Sequence, residues 1–435
     1  MPSFPEPGRF AEPSEKVLKT GPALYALCRG ACAAIDSPAR GKHKGYAPMT
    51  PPKISVLYVI QNEFFGGGER AFAQLINGLE KSRYDVFAAC LTGPFNPAST
   101  TFTRQIASSA QIINLDLRRL INPPAIFKLK NIIRENVIKI VHSQGARANF
   151  YSRLAARAAG GTVVVSTIAS PIEEYNVNVF KTMAYSALDR FGETYVDKFI
   201  AVAGHIERKL VQNRGIQHQK VTRIYNGIDV AKYEWRQDSS ARTRSDFSIA
   251  ADCFLAGAFC RLSWEKGLFH FIEAAKQIAD GGDEPEAGIK YLIAGEGALE
   301  KDLKLRVKNL GLEGKFIFTG FVEDIRPLLG AADLLVLPSF REGFPMSILE
   351  AMAMGKPVVA SNIDGVNESV ADNVNVLLVQ TKDSAALAVA ITAMFKEQNR
   401  AHEMGARGRA MAAENFGIDN MIKAHEEVYE ELLRV

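Results

Sequence analysis

The 435-residue sequence has no apolar run long enough to cross a membrane. Its early apolar stretch, residues 23–35, is broken by Arg29 and Gly30 and lacks the layout of a signal peptide. Cysteine is scarce too: the five residues are an odd number without zinc-ligand or disulfide spacing, which favours a reducing compartment. Cys28 and Cys32 form the one close pair, and their C-x3-C spacing is a weak signal for a metal or redox site.

Three further features are missing. The net charge of +4 and the pI near 8.6 lack the concentrated basic character of nucleic-acid-binding proteins. No D-x-D sequence is present to hold a metal ion, and no G-x-G-x-x-G fingerprint is present to hold a dinucleotide. What remains is typical of a globular protein, with 47% hydrophobic and 23% charged residues, and the length suffices for two domains.

The first 52 residues differ from the rest of the chain. They hold nine of the 19 prolines, and their seven lysines and arginines against four acidic residues give a net charge of +3. We expect a mostly disordered leader with at most one short helix, weakly attracted to an anionic membrane surface. An alternative is that this stretch precedes the true start of the protein, at Met49.

Residues 53–230 alternate short apolar runs with helical patterns, which predicts a doubly wound parallel sheet. The predicted strands are 54–60, 86–91, 112–115, 138–142, 163–168 and 198–202, and the predicted helices include 71–79, 124–136 and 149–159. Residues 170–175 lead into a further predicted helix that runs through Arg190, with an apolar stripe that favours the core over a membrane surface. Ligands bind such sheets at the carboxyl ends of the strands.

Two features lie at predicted strand ends. The loop Phe65-Gly66-Gly67-Gly68-Glu69-Arg70 joins the first strand to a helix, which is how Rossmann-like units face a phosphate. A plain tight turn remains an alternative for this loop. His142 ends the predicted strand 138–142, where a structural and a functional role are equally consistent with the sequence.

In the second half, Arg261 and Lys266 follow the predicted strand 253–259 on the loop to a helix that starts at Leu268. Two cations five residues apart on such a loop can converge on one diphosphate, arginine as a fixed fork and lysine as a point charge. Two solvated surface cations are the alternative. Residues 230–251 are polar and are predicted to be a connector, and two more strands end in turns at 295–297 and 320–324.

The most informative stretch runs from 334 to 360. It predicts a strand at 334–337, a loop with Glu342, a helix opened by Phe344 and Pro345 and closed by Gly355, and a strand at 358–360. Helix N-termini attract phosphates, and nearby carboxylates can accept hydrogen bonds from sugar hydroxyls. Glu350 also fits an S-x-x-E capping box with Ser347, in which it would only cap its own helix.

These motifs resemble a known family. Glu342 and Glu350, with Gly343-Phe344-Pro345 after the first and Gly-Lys-Pro-Val-Val-Ala after the second, resemble the E-x7-E signature of the GT-B glycosyltransferases of family 4, also called group 1. Arg261 to Gly267 resembles the R-x4-K-G element of that family, and residues 224–229 resemble its N-G-I-D turn. The resemblance covers residues 53–435.

The resemblance implies an α/β GT-B fold, with two Rossmann-like doubly wound domains that face each other across a cleft. Residues 53–230 would form the acceptor-side domain, residues 231–412 the donor domain, and residues 413–435 a helix that packs back toward the first domain. The role of Asp364-Gly365-Val366-Asn367-Glu368 stays open, because this sequence departs from the commoner Gly-Gly form.

The resemblance also implies roles for single residues. Arg261 and Lys266 would clamp the donor diphosphate, Glu350 would hold the ribose and Glu342 the sugar ring, and His142 would point toward the donor sugar. The other expected donor-binding residues are those of the glycine loop, of two turns that hold the base, and of the helix start: Gly67, Gly68, Gly295, Glu296, Val322, Gly343, Phe344 and Pro345.

The function implied is a retaining glycosyltransferase of the hexosyltransferase type, acting in cell-surface polysaccharide or lipopolysaccharide synthesis. It would move a sugar from a nucleotide-diphosphate-sugar donor to a hydroxyl of a sugar or lipid-linked acceptor, with no metal ion or other cofactor. The location implied is cytoplasmic, with any contact at the inner membrane face being peripheral. The alternatives are a non-catalytic nucleotide-sugar-binding protein on the same fold and, on Rossmann-like units alone, a dinucleotide oxidoreductase.

Overall fold

The computed structural model describes residues 52–61, 65–92, 100–117, 122–170, 189–190, 192–234, 237–282 and 288–434. The predicted leader lies outside these residues except for Pro52, and so does most of the predicted helix that runs through Arg190. No helix among the described residues combines the length and the apolar character needed to span a membrane.

The first sheet has seven parallel strands in the order β3-β2-β1-β4-β5-β6-β7. Its central strands are covered on both faces, which explains why they read as continuous apolar runs in the sequence. The strands are β1 Ile54–Gln61, β2 Tyr84–Thr92, β3 Gln111–Asp116, β4 Ile140–Gln144, β5 Val163–Ile168, β6 Lys198–Ala201 and β7 Val221–Arg223.

Among the described residues, five α-helices accompany this sheet, and we call the sheet with these helices the first lobe. They are α1 Gly67–Gly78, α2 Thr100–Ile106, α3 Pro123–Glu135, α4 Ala146–Ala159 and α5 Gly204–Arg208. Helix α1 begins inside the predicted glycine loop, four residues before the predicted start. The reason is local: Gly66 is the N-cap, and the Glu69 carboxylate accepts a hydrogen bond of 3.0 Å from the Gly66 backbone N–H.

The second sheet has six parallel strands in the order β10-β9-β8-β11-β12-β13. They are β8 Phe254–Phe259, β9 Ile289–Ala294, β10 Phe316–Gly320, β11 Leu334–Leu337, β12 Val358–Ser361 and β13 Leu377–Val379. This sheet and the helices packed on it form the second lobe: α6 Gln237–Asp246, α7 Leu268–Gly281, α8 Glu300–Asn309, α9 Arg326–Ala331, α10 Met346–Ala353, α11 Asp364–Asn367, α12 Ser384–Lys396 and α13 Gln398–Asn415.

Both sheets share the strand order 3-2-1-4-5-6, the doubly wound arrangement that the sequence predicts. In each sheet the order reverses between the first and fourth strands, β1 and β4 in one and β8 and β11 in the other. Loops at such a switch point open a crevice at the carboxyl ends of the strands. The glycine loop follows β1, whereas the loops with Lys266 and Glu342 follow β8 and β11.

The predicted connector, residues 230–251, contains more regular structure than expected. A 3-10 helix spans Val230–Tyr233 and α6 spans Gln237–Asp246. Arg244, in the last turn of α6, donates to Asp333 at 2.6 Å and to backbone carbonyls of the second lobe. Polar contacts rather than an apolar face hold α6 in place. Its sequence therefore lacks the apolar pattern that would predict a helix.

The last helix, α14 Ile418–Leu433, packs on the first lobe although the preceding helix belongs to the second. Met421, Val428 and Tyr429 lie in the same buried cluster as Tyr58 of β1. The Tyr58 and Tyr429 hydroxyls are 2.8 Å apart and share a hydrogen bond. The chain therefore crosses between the lobes a second time near its C-terminus.

Candidate active site between the lobes

The loops after β8 and β11 meet through an ion pair at the switch point of the second sheet. The Lys266 Nζ atom lies 2.7 Å from Glu342 Oε1 and 2.9 Å from Glu342 Oε2. The Ser339 hydroxyl donates a further hydrogen bond of 2.6 Å to Glu342 Oε1. Both charged side chains are largely buried, at 15% and 9% exposed. The two motifs that the sequence places 76 residues apart are thus one cluster.

The side chain of Lys266 is positively charged at neutral pH. Burial lowers the pKa of its ammonium group, but the charge of Glu342, the hydrogen bond to Glu342 and the nearby Cys260 together outweigh burial, and the pKa is raised above its ordinary value. Lys266 is therefore a fixed positive charge at the mouth of the crevice. A fixed cation next to hydroxyl-accepting oxygen atoms suits a ligand that carries both phosphate and sugar.

Arg261 is the more exposed of the two predicted cations. Its side chain is 57% exposed, and its guanidinium lies 3.7 Å from the carboxylate of Glu265. Arg261 also faces the other lobe: burial raises the pKa of Glu69 in α1, and the charge of Arg261 acts in the opposite direction on the same group. The two cations lie at the start and end of one loop, and Arg261 has freedom to reorient toward an anion.

The two predicted base-binding turns follow β9 and β10, on the side of the crevice away from Glu342. Gly295 has a φ of +144° and packs against the Cys260 carbonyl so closely that a Cβ atom there would lie 2.0 Å from its oxygen. Glu296 is exposed at its side chain, and its backbone carbonyl accepts from the Leu262 N–H at 2.9 Å. Val322 is half-buried on the neighbouring turn.

Helix α10 presents Glu350 to the crevice. The capping-box interpretation of Glu350 is wrong, because the N-cap is Pro345 rather than Ser347 and no side chain caps this end of the helix. At the other end, the prediction of a glycine cap is confirmed. Gly355 has a φ of +70°, and the N–H groups of Gly355 and Lys356 bond back to Met352 and Ala351 in a Schellman motif.

Two residues that lie outside the second sheet and its helices donate hydrogen bonds to Glu350. The Arg70 Nη1 atom of α1 donates to Glu350 Oε1, and the Tyr233 hydroxyl donates to the same oxygen at 3.1 Å. Glu350 is 2% exposed and Tyr233 6%. Burial and the nearby charge of Glu350 both raise the pKa of the Tyr233 hydroxyl, so it stays a donor. The sequence gives no pattern that links these three residues.

The segment before α10 makes close contact with the first lobe. A Cβ atom on Gly343 would lie 1.9 Å from the Ala169 carbonyl oxygen, so that this position has room for glycine alone. The Phe344 side chain is buried, with its ring 4.8 Å from that of Tyr225. The side chains of Phe344 and Pro345 lie in the core, so these residues can offer a donor only backbone groups, and their donor-binding role stays a prediction.

The glycine loop also packs across the lobes. A Cβ atom on Gly67 would lie 3.2 Å from the Met346 side chain at the start of α10, and one on Gly68 would lie 2.9 Å from Gln144 Nε2. The plain-turn interpretation does not describe this loop, because Gly67 and Gly68 lie in the first turn of α1 and Gly67 meets the opposite lobe. Gln144 ends β4 and is a polar residue at the crevice that the sequence analysis missed.

His142 is not part of this crevice. Strand β4 runs from Ile140 to Gln144, two residues beyond the predicted end, so His142 lies in mid-strand. It is 0% exposed, and its ring nitrogens are satisfied by the Tyr429 hydroxyl at 2.6 Å and the Thr167 hydroxyl at 2.7 Å. Burial and the nearby His425 hold its pKa well below the ordinary value. The expectation that His142 reaches the donor sugar is therefore corrected.

Glu368, whose role the sequence left open, joins the lobes. Its carboxylate accepts hydrogen bonds from the backbone N–H groups of Gly204 and His205 in α5, at 2.5 Å and 2.7 Å. Burial opposes its ionisation, but these hydrogen bonds and His205 outweigh that effect and lower the pKa of Glu368. A contact between residues more than 160 positions apart leaves no signal in a single sequence.

The crevice thus combines cations for a diphosphate with carboxylates for hydroxyl groups. Within the described parts of the chain, no group of three or more histidine, cysteine, aspartate or glutamate side chains is arranged to hold a metal ion. The chemistry that these residues offer is the binding of an anionic, hydroxyl-rich ligand and the stabilisation of charge that develops on its phosphates.

Two family models match this chain. The model of the group 1 glycosyl transferases matches residues 244–411, and that of glycosyltransferase family 4 matches residues 65–232. The chain is 25% identical over 336 residues to UDP-Gal:alpha-D-GlcNAc-diphosphoundecaprenol alpha-1,3-galactosyltransferase of Escherichia coli, covering 77% of this chain and 86% of that protein. It is 29% identical over 316 residues to the putative glycosyltransferase EpsD of Bacillus subtilis, covering 69% and 79%.

Solved structures share the fold. Anabaena Alr3699/HepE in complex with UDP-glucose superposes with a TM-score of 0.75 at 22% identity, over 87% of this chain and all of that one. WaaG, a glycosyltransferase involved in lipopolysaccharide biosynthesis, gives a TM-score of 0.67 at 15% identity, over 86% and 99%. With two matched family models, two doubly wound sheets and the crevice between them, this chain belongs to the group 1 glycosyltransferases of the GT-B fold.

Proposed function

We propose that this chain is a retaining glycosyltransferase that moves a sugar from a nucleotide-diphosphate-sugar donor to an acceptor hydroxyl in the synthesis of cell-surface polysaccharide or lipopolysaccharide. The observation that carries the proposal is the Lys266–Glu342 pair, which puts a cation and a hydroxyl-accepting carboxylate 2.7 Å apart at the switch point of the second sheet. In this proposal the first lobe faces the acceptor and the second lobe binds the donor, with boundaries near residues 230 and 412.

The reaction breaks the bond between the anomeric carbon and a β-phosphate oxygen, so negative charge grows on the leaving diphosphate. Lys266, Arg261 and the backbone N–H groups at the start of α10 are the groups proposed to stabilise that charge. Glu342 binds hydroxyls of the transferred sugar, and Glu350 binds those of the ribose. The acceptor oxygen forms the new bond on the same face, and its proton passes to the departing phosphate, so that no enzyme nucleophile is needed.

For the donor, we propose a UDP-sugar as the first candidate. The Escherichia coli relative carries UDP-Gal in its name, and the Anabaena structure holds UDP-glucose. For the acceptor, the same relative acts on a diphosphoundecaprenol-linked sugar, which supports a lipid-linked acceptor and a peripheral contact with the inner membrane face. The proposal includes a hexosyl donor and no requirement for a metal ion or another cofactor.

The first experiment is a thermal-shift screen of the purified protein against UDP-, GDP- and ADP-sugars with EDTA present. A ligand that binds the folded state raises the apparent melting temperature by mass action. We expect a clear shift with one class of donor and no loss of that shift in EDTA. A response to NADH with none to any nucleotide sugar would instead favour the oxidoreductase alternative, and a shift lost in EDTA would overturn metal independence.

The second experiment replaces Lys266 by alanine and measures kcat/KM with the donor found in the screen. Removal of one preorganised charge at a developing oxyanion typically costs ~10²–10³ in rate, and we expect a loss of that order. Lys276→Ala is the matched control, because Lys276 pairs with Asp280 on the outer face of α7. Near-normal turnover by Lys266→Ala would contradict the clamp, and binding without turnover by the unchanged protein would favour the non-catalytic alternative.

A further inference from the structure

The first turn of α1 reaches across the crevice at three places. Gly67 packs on Met346, Glu69 lies within electrostatic reach of Arg261, and Arg70 donates to Glu350. All three partners belong to the second lobe, on the loops and the helix that are proposed to bind the donor. The turn that carries the glycine motif therefore contributes side-chain contacts as well as close backbone packing.

The two oxygens of Glu350 have different surroundings. Oε1 accepts from both Arg70 and Tyr233, whereas Oε2 accepts no hydrogen bond from any residue that the structure describes. The side chain as a whole is 3% exposed. A carboxylate with one oxygen fixed by two donors has little freedom to rotate, so the direction in which its second oxygen points is set by those donors.

Arg70 and Tyr233 are themselves held. The Arg70 side chain is 17% exposed, and its guanidinium lies over the Phe65 ring at 5.7 Å from the centroid. The backbone carbonyl of Tyr233 accepts from Arg409 at 3.2 Å. The donors to Glu350 are thus ordered groups, and a substitution at either one changes the orientation of Glu350 without removing its carboxylate.

Arg70 also lies near the predicted base-binding turn. Asp324 is two residues beyond Val322, and its pKa is lowered first by its hydrogen bonds with Arg326 and further by the charge of Arg70. Arg70 therefore acts electrostatically on a residue of that turn and also donates a hydrogen bond to Glu350. In a nucleotide the ribose lies between the base and the diphosphate, and this is the part of the crevice where its hydroxyls would meet Glu350.

We propose that Arg70 and Tyr233 are positioning residues that fix Glu350 Oε1, so that Oε2 presents itself to the ribose hydroxyls of the donor. This inference rests on the proposed function, because it uses the assignment of Glu350 to the ribose. It adds that a residue of the acceptor-side lobe sets the ribose selectivity of the donor-side lobe. Ribose recognition then requires the two lobes to be in contact.

The test compares the Kd of UDP with that of 2′,3′-dideoxy-UDP by titration calorimetry, or of the corresponding pair for the base that the screen selects. A hydrogen bond to a charged group predicts that the unchanged protein binds UDP at least about tenfold more tightly. We expect the ratio of the two Kd values to fall below about threefold in Glu350→Gln. In Arg70→Gln it falls by at least about threefold, although the carboxylate of Glu350 is still present.

Three more variants sharpen the result. We expect Arg70→Lys to give an intermediate ratio, and Tyr233→Phe to reduce it by about twofold, since one of two donors is lost. For the double variant Arg70→Gln/Glu350→Gln, the ratio of the two Kd values should be no lower than for Glu350→Gln alone, because both changes act through the carboxylate of Glu350. The control is Arg104→Gln, which removes another cross-lobe ion pair, Arg104 to Glu323 at 2.8 Å, and should keep the original ratio.

The outcomes separate the inference from the proposed function. If Glu350→Gln abolishes discrimination but Arg70→Gln and Tyr233→Phe keep the original ratio, the positioning role is overturned and the ribose site stands. If Glu350→Gln keeps the ratio, or if the unchanged protein binds no nucleoside diphosphate better than its dideoxy form, the assignment of Glu350 fails and the inference fails with it. Should Arg70→Gln fail to fold, Arg70→Lys and Tyr233→Phe still decide the question.

Discussion

At the scale of single residues, the acidic groups of the crevice are each paired with a basic group from another segment. Glu342 is paired with Lys266, and Glu350 with Arg70. A buried carboxylate without such a partner is costly, because burial penalises its charged form. The pairing offsets the cost of burying two acidic side chains whose exposure is only 9% and 3%.

Val137 carries backbone strain that one substitution would relieve. It follows α3 with a φ of +48°, and 62% of it is exposed, so that its side chain contributes little packing. A left-handed conformation costs a non-glycine residue roughly 1–2 kcal/mol, partly offset by the greater freedom of glycine in the unfolded chain. We expect Val137→Gly to raise the free energy of unfolding by about 0.5–1 kcal/mol in urea titrations.

Val389 is the matched control for that measurement. It is also an exposed valine, at 70%, but it lies inside helix α12. Glycine has a lower helix propensity than valine, so Val389→Gly should lower the free energy of unfolding by a few tenths of a kcal/mol. A loss of stability in both variants would show that the conformation of Val137 carries no strain.

At the scale of elements, α14 is attached to the first sheet by a buried polar network. The Tyr429 hydroxyl lies between Tyr58 and His142, and His425 stacks on His142 with the ring centroids 5.8 Å apart. The Nδ1–H group of His425 donates to the Met421 carbonyl at 2.8 Å, because a carbonyl oxygen can only accept. Aromatic packing and this network hold the helix against the first sheet.

The network makes stability depend on pH. Burial lowers the pKa of His425 to about 4, against 6.5 in the unfolded chain, and the pKa of His142 is lowered as well. Well above pH 6.5, His425 and His142 are neutral in both the folded and the unfolded chain. Below pH 6.5, the two histidines bind protons in the unfolded chain but stay neutral in the folded chain. We expect the free energy of unfolding to fall as the pH drops from 6.5 toward 4, by up to about 1.4 kcal/mol per pH unit for each histidine.

The measurement is a set of urea titrations between pH 5 and 7.5. In His425→Gln the loss of stability between pH 6.5 and 5 should be smaller than in the unchanged protein, because one of the two excluded protons is gone. His402→Gln is the control, since His402 is exposed on α13. An equal slope in all three proteins would mean that other groups cause the pH dependence.

At the scale of the whole molecule, contacts from several separate segments of the described chain join the lobes. Arg70 meets Glu350, Gly343 packs on Ala169, and Asn226 donates to the Phe344 carbonyl at 3.1 Å. Glu368 adds hydrogen bonds to α5. A buried apolar cluster runs through both lobes beside these polar contacts. Several contacts, rather than one hinge residue, therefore hold the two lobes together around the crevice.

Removal of the Glu368 contact tests this view. Glu368→Ala leaves two backbone N–H groups of α5 without their carboxylate, and hydrogen bonds to a charged group contribute roughly 1.5–3 kcal/mol. We expect a larger radius of gyration in small-angle X-ray scattering and a fall in kcat/KM of about tenfold, since a looser cleft misplaces the donor. Glu403→Ala, on the exposed face of α13, is the control.

The result that would contradict this prediction is specific. A Glu368→Ala variant with an unchanged radius of gyration and unchanged kcat/KM would mean that Glu368 lies at the interface without holding the lobes together. A lower kcat/KM with an unchanged radius would instead mean that Glu368 acts on the donor site directly, because Gly365 in the same segment packs against the Glu342 carbonyl.

The sequence by itself determined the fold class and the family. The bounds that the sequence predicts for strands 163–168 and 334–337 are those of the structure, because their apolar runs and their turn residues are local. The glycine cap at Gly355 was predicted for the same reason. The E-x7-E and R-x4-K-G motifs could be recognised because each lies on one loop or helix.

Only the tertiary structure decided which side chains meet. His142 looked like a strand-end residue because the sequence turns polar there, but the strand continues to Gln144 and α14 covers the histidine. Glu350 fitted a capping box, yet its partner is Arg70, 280 residues earlier in the chain. Local patterns report on hydrogen bonds between neighbours, whereas these contacts depend on how two sheets are placed against each other, which periodicity does not encode.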